Sequence, residues 1–172
     1  DAGCGTAALA VEAARRGATV VAIDLSPQLV GVARERIAAL PDGPSLLRRI
    51  ELCSGDMLDV SLGTFDHVVA MDSLIHYGLD DAVNVVQDWG WRTRGSIVFT
   101  FAPRNPALAA MKAIGRLFPK GNRAPWIEPM AEVRLRQGLQ AAPGLARWTA
   151  GRTQRISSGF YTSQALEWRR SG

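Results

Sequence analysis

Short strand-like segments alternating with helix-length segments constrain this chain more than any other feature it has. The apolar run Ala18 to Ile23 ends in Asp24, Ile50 to Cys53 leads to Gly55-Asp56, Phe65 to Met71 is another strand-like segment, and Ser96 to Phe101 is stopped by Pro103. Between them the spacing predicts helices over Thr6 to Arg16, with Gly17 suited to the C′ position, and from Pro27 to about Leu40. A third is predicted over Asp80 to about Trp89. Ser26 and Pro27 read as N-cap and first helical residue, and Pro41-Asp42-Gly43-Pro44 reads as a turn. Strands that alternate with helices form parallel sheets through right-handed crossovers, and such strands are apolar along their whole length because both faces are covered. The expectation is an α/β fold with a doubly wound, Rossmann-like, mostly parallel sheet. Residues 149–168, two strand-like stretches around Ser157-Ser158-Gly159, add a C-terminal antiparallel hairpin.

Length and composition agree with one domain over 1–172, with 104–147 as a substrate-side insertion. A chain of 172 residues that is 47% hydrophobic and 21% charged can bury a core, and it is neither disordered nor collagen-like. Its apolar runs fall far short of the ~20 residues that span a bilayer. Two cysteines, Cys4 and Cys53, provide neither a disulfide framework nor a metal site, which favours a reducing cytosol. The chain opens at Asp1 without a Met, in the middle of a motif, so an N-terminal part is expected to be missing. The net charge of +4 conceals an asymmetry: residues 1–88 sum to −7 and residues 89–172 to +11. The basic half is suited to an anionic partner: a carboxylate or phosphate substrate, a nucleic acid or an acidic membrane surface.

Asp1-Ala2-Gly3-Cys4-Gly5-Thr6 is a glycine-rich turn entering a helix, where free N–H groups and the positive dipole end gather. Asp24 follows Gly5 by 19 residues, at a strand end where a carboxylate accepts ribose hydroxyls. Two glycines alone make a weak signal. A dinucleotide fingerprint has no acid two residues before its first glycine, whereas a carboxylate there suits a cofactor carrying a cationic amine.

Taken in order, Asp1-x-Gly3-x-Gly5, Asp24 and Gly55-Asp56-Met57 resemble the class I S-adenosylmethionine-dependent methyltransferases. The resemblance implies S-adenosylmethionine as cofactor: the turn of Asp1, Gly3 and Gly5 against its amino-acid part, Asp24 at the ribose, Asp56 at the adenine amino group and Met57 on the adenine ring, with Leu25 also placed with the cofactor. Three further stretches narrow it: Asp66 to Tyr77, Leu117 to Pro125, and Ser158 to Ser163. Together they resemble the magnesium-protoporphyrin IX methyltransferase family over essentially all of the chain. That family implies methylation of one porphyrin propionate, an N-terminal segment holding the first strand and a lid-like arm, and an acceptor-side group at His76. Asp72 is placed with the cofactor or as a cap of the next turn. Ser73, Tyr77, Arg104, Arg123 and Tyr161 are placed with the substrate, and no metal ligands are implied. His67, inside a strand pattern, is structural.

A porphyrin is an apolar disc with a carboxylate edge, so it requires an apolar wall and a basic rim. Leu108, Met111, Leu117, Phe118, Trp126 and Met130 are wall candidates; Arg104, Lys112, Arg116, Lys120 and Arg123 are rim candidates. Trp89-Gly90-Trp91 interrupts the smooth helix end expected there. A magnesium chelatase subunit and peripheral contact with a photosynthetic membrane are candidate partners. The competing readings are a methyltransferase for another small acid or amine, an NAD-binding oxidoreductase, and a basic nucleic-acid-binding module without a recognised reader motif.

Overall fold

The computed structural model describes residues 1–104, 127–158 and 161–171. The chain divides into two compact units, residues 1–63 with 68–71, and residues 64–67 with 72–172.

The first unit packs α1 (Ala8–Arg15), α2 (Pro27–Ala38) and the single turn α3 (Gly43–Leu46) around parallel strands β1 (Val20–Asp24) and β2 (Ile50–Ser54). The two strands pair in register from Val20–Ile50 to Asp24–Ser54. Asp1 and Ala2 extend the pairing: Ile23 N–H donates to the Asp1 carbonyl, Ala2 bridges Ile23 in parallel, and Ala2 N–H donates to the Val69 carbonyl. The core is made of small residues. Ala7, Ala10, Ala22 and Ala33 are fully buried, which lets helices sit close on the strands, and Val30, Ile37, Leu46 and Ile50 complete it.

Capping of α2 is as expected, with Leu29 N–H donating to the Ser26 hydroxyl and Pro27 opening the helix. Three boundaries differ from the sequence expectation. The first helix starts at Ala8 rather than Thr6, because buried Ala7 is left-handed at φ 59°. The second ends at Ala38 rather than about Leu40. The expected turn at 41–44 winds on into α3, because Gly43 lies against the Ile37 carbonyl and any side chain there would collide with it. The bidentate ion pair Arg15–Asp42 bridges from α1 at 2.8 and 3.0 Å.

β3 (Phe65–Ala70) is divided between the two units, and the second unit carries β4 (Thr93–Phe101), β5 (Trp148–Ser158) and β6 (Tyr161–Arg170) in the order β4-β6-β5. β6 runs antiparallel to both of its neighbours, so the predicted terminal hairpin is present and its second strand pairs with β4. Helices α4 (Leu79–Arg92) and α5 (Glu132–Ala141) complete the unit. Trp89, Ile97, Phe99, Phe101, Leu135, Leu139, Leu145, Leu166 and Trp168 are almost fully buried. Each large side chain stabilises the fold by about 1.5–3 kcal/mol relative to exposure.

Helix α4 runs three residues past Trp89, and the Trp-Gly-Trp sequence has a packing reason. Trp89 enters the core, Trp91 stays two-thirds exposed, and Gly90 between them lets the single turn Pro143–Leu145 approach, since a Cβ there would strike Leu145. Gly138 likewise admits α5 against Val83 of α4. Met130, a candidate wall residue, is instead a core residue. It is 4% exposed and forms a parallel bridge with Pro103 through its N–H to Ala102 and its carbonyl to Arg104. The wall and rim candidates Leu108, Met111, Lys112, Arg116, Leu117, Phe118, Lys120, Arg123 and Trp126 lie outside the described residues.

Candidate functional site

In the first unit the three sequence motifs converge at the carboxyl ends of β1 and β2. Gly3 and Cys4 both donate N–H to the Ile23 carbonyl at 2.9 Å, which folds the turn back over the end of β1. Gly3 and Gly5 adopt φ of 74° and 52°, left-handed values that glycine enters without strain. Gly5 N–H then donates to Asp24 Oδ2 and Ser26 N–H to Asp24 Oδ1, each at 2.9 Å. Both carboxylate oxygens are thus oriented by backbone, and each keeps a second lone-pair direction for a hydroxyl donor. Gly55, at φ 151°, donates its N–H to the Asp24 carbonyl and brings Asp56 beside the same strand end. Asp56 is exposed and its Oδ1 accepts Leu58 N–H at 2.8 Å; Met57 is half-buried, and Leu25 is three-quarters exposed.

Asp1 supplies the remaining piece. Its Oδ2 is a buried oxygen with no hydrogen-bond partner. A buried acceptor left unsatisfied costs about 1–3 kcal/mol, and a cationic amine placed against it removes that cost. The three carboxylates are therefore acceptors suited to a ligand that carries a cationic amine and hydroxyl groups. Cys4 is buried in the turn, and burial pushes its thiol pKa up, so it is a neutral packing group.

In the second unit Asp72, Ser73, His76 and Tyr77 lie in one short segment. Asp72 and His76 are exposed, Ser73 and Tyr77 half-buried, and Leu74 and Ile75 anchor the intervening 3-10 turn Leu74–His76 in the core. Asp72 is left-handed at φ 57°, and two residues that sequence reasoning did not single out hold it: Thr100 of β4 and Ser163 of β6. Arg104 is exposed just past β4. Tyr161 opens β6, with its side chain outside the described residues, as Arg123 is entirely. His67 Nδ1 bonds Ser96 Oγ at 2.9 Å within the sheet, in keeping with a structural histidine.

Part of the basic charge is absorbed internally. Arg136 pairs with Glu132, Arg155 donates twice to the Gln164 amide oxygen, and Arg170 donates to the Thr93 carbonyl. Arg152 and Arg169 both reach Glu167. The Arg169 guanidinium, helped by Arg152, holds Glu167 down to a pKa of about 2. Among the described residues no three His, Cys, Asp or Glu side chains gather into a metal cluster, and no helix is long and apolar enough to cross a membrane.

Residues 70–170 match the family described as magnesium-protoporphyrin IX methyltransferase C-terminus. The chain belongs to that family. Residues 1–90 separately match a general methyltransferase domain. The magnesium-protoporphyrin O-methyltransferase of Rhodobacter capsulatus is 44% identical over 98% of this chain, which spans 70% of the relative. The chloroplastic magnesium protoporphyrin IX methyltransferase of Arabidopsis thaliana is 30% identical over 97% of the chain and 51% of the relative. A crystal structure of magnesium protoporphyrin IX methyltransferase from Synechocystis PCC 6803 with bound SAH is 30% identical and superposes with a TM-score of 0.80, covering 99% of this chain and 73% of that one. The same Synechocystis protein with bound SAM gives 0.75. The class I methyltransferase fold expected from the motifs is therefore the fold of this chain, with a mixed sheet.

Proposed function

We propose that the protein transfers the methyl group of S-adenosylmethionine to a propionate carboxylate of magnesium-protoporphyrin IX, giving the monomethyl ester in the formation of chlorophyll-type pigments. The 44% identity to the Rhodobacter relative over 98% of the chain carries this reading. The first unit's cluster of Asp1, the glycine turn, Asp24 and Asp56 agrees with it independently of names.

When bound, S-adenosylmethionine supplies an electrophilic methyl group on a sulfonium centre. Asp1 Oδ2 would accept its amino group, Asp24 its ribose hydroxyls and Asp56 its adenine amine, with Met57 and Leu25 against the adenosine. A propionate has an ordinary pKa of ~4–5, like Glu, so it is ionised near neutrality and needs no strong base to become a nucleophile. The chain's own residues then contribute orientation and removal of water from the carboxylate. His76 donates a hydrogen bond to the acceptor carboxylate and orients it. Asp72, Ser73 and Tyr77 line the same segment, and Arg104, Arg123 and Tyr161 address the remaining polar groups of the acceptor.

Two extensions belong to the same proposal: a cytoplasmic location with peripheral contact to an anionic photosynthetic membrane, supported by the basic balance of residues 89–172, and a magnesium chelatase subunit as the source of the substrate. The test is a set of acceptors with S-adenosylmethionine and calorimetric binding of S-adenosylhomocysteine alongside. The expected result is methylation of magnesium-protoporphyrin IX and none of its dimethyl ester. Binding of S-adenosylhomocysteine without methylation of the free acid removes the porphyrin, and absence of binding removes the cofactor assignment.

A further inference from the structure

We propose that Thr100 and Ser163 are positioning residues for methyl transfer, acting through Asp72 to set the place of His76. The observation is a non-glycine residue held in the left-handed region by groups from two strands. Asp72 has φ 57°. Its N–H donates to Thr100 Oγ1 at 2.7 Å, the same Thr100 hydroxyl donates back to Asp72 Oδ1 at 3.0 Å, and Ser163 Oγ donates to that oxygen at 3.3 Å. Thr100 and Ser163 are 3% and 8% exposed, so both hydroxyls are committed inside the sheet.

A left-handed aspartate persists only where its surroundings over-determine it, and such strain concentrates where function needs a fixed geometry. Here one threonine hydroxyl engages both the amide and the carboxylate of the same residue, which pins backbone and side chain together. The chain leaves Asp72 directly into Ser73 and the 3-10 turn Leu74–His76. Leu74 is fully buried, Ile75 is 9% exposed, and the Ile75 carbonyl accepts Glu128 N–H at 2.8 Å. The turn is thus seated on its apolar side, and the Asp72 linkage fixes the direction in which it starts. Without the Thr100 hydroxyl, Asp72 relaxes towards ordinary backbone angles and the imidazole four residues on is displaced.

The role rests on the methyl-transfer reading and on His76 facing the acceptor, but its first test needs no turnover. The chain has two histidines, so an imidazole ¹⁵N-correlated NMR spectrum contains only His67 and His76. Thr100→Val should move the His76 ring signals and leave those of His67 in place, while Thr100→Ser, which keeps the hydroxyl, should resemble the parent. In turnover, Thr100→Val should lower kcat by roughly 10- to 100-fold, the loss expected for a reacting group displaced by about 1 Å. Acceptor KM and S-adenosylhomocysteine affinity should stay within about twofold, and adding Thr100→Val to His76→Ala should cost little more than His76→Ala alone. Ser163→Ala removes one donor and should act in the same direction less strongly, which keeps the test open if Thr100→Val does not fold. Unmoved His76 signals in Thr100→Val overturn the proposal. So does normal kcat in Thr100→Val when His76→Ala is impaired. Normal turnover of His76→Ala overturns the assignment of His76 and this proposal with it, whereas failure of the parent protein to form any ester is the separate failure of the methyl-transfer reading.

Discussion

Asp24→Asn separates the two jobs that the structure assigns to this carboxylate. Gly5 N–H and Ser26 N–H reach different oxygens of Asp24, at 2.9 Å each. An asparagine has one acceptor oxygen, so one of these amides must face an NH₂ group. Losing one charge-assisted bond and leaving a partly buried N–H unpaired costs about 1–3 kcal/mol. For a domain of this size that lowers Tm by roughly 2–4 °C per kcal/mol, hence by several degrees. The ribose loses its charged acceptor as well, at about 1.5–3 kcal/mol, so affinity for S-adenosylhomocysteine should fall by at least ~10-fold. Calorimetric titration and thermal melts with and without S-adenosylhomocysteine measure both effects. Unchanged affinity with a lowered Tm would reduce Asp24 to a turn-closing residue and refute its place in the cofactor site. No change in either would refute the hydrogen-bond geometry itself.

Three further outcomes follow from the same geometry. Glu167 has its folded-state pKa depressed from 4.5 to about 2, so the stability it contributes is present above its ordinary pKa and is lost as pH falls through about 2; Tm should fall more steeply between those limits in the parent than in Glu167→Gln. Gly31 of α2 has open space where a Cβ would stand, while at Gly138 a Cβ would lie 2.8 Å from Val83 Cγ2. Gly31→Ala should therefore stabilise by about 0.5–1 kcal/mol and Gly138→Ala destabilise by about 1–2 kcal/mol in denaturant melts, and equal effects at the two sites would contradict the close packing of α4 on α5. His76→Ala should lower kcat far more than it changes S-adenosylhomocysteine affinity, and unchanged turnover removes it from the mechanism.

Local chemistry explains which parts of this fold could be read in advance. Ser26-Pro27 carries its own cap, the run ending in Asp24 and the segment leading to Gly55-Asp56 carry their own strand ends, and Gly3 and Gly5 carry the turn. Each is decided by residues close in sequence. Non-local contacts decided the rest. Ala7 has no sequence mark of a left-handed residue and adopts that conformation because the turn must enter α1 while buried. The turn at 41–44 became a helix through the proximity of Gly43 to α2. Asp72 was visible as a polar residue after a strand, but its conformation depends on Thr100 and Ser163, which lie 28 and 91 residues away. Glu167 similarly meets Arg152 only because the β5–β6 register slips between Ala150 and Thr153. The convergence of Asp1, Asp24 and Asp56 was legible because Asp24 ends one strand and Asp56 follows its parallel neighbour, at the carboxyl ends where such folds bind their ligands, and Asp1 opens the glycine turn that folds back over the same end.

The central claim is tested most directly by following the methyl group. The protein is incubated with magnesium-protoporphyrin IX and S-adenosylmethionine labelled in its methyl group, and the pigment is separated by chromatography and mass. The account predicts one labelled methyl per porphyrin, released by alkali as expected of an ester. Label on carbon or nitrogen that survives alkali, or an unlabelled porphyrin while S-adenosylhomocysteine still binds, would contradict it.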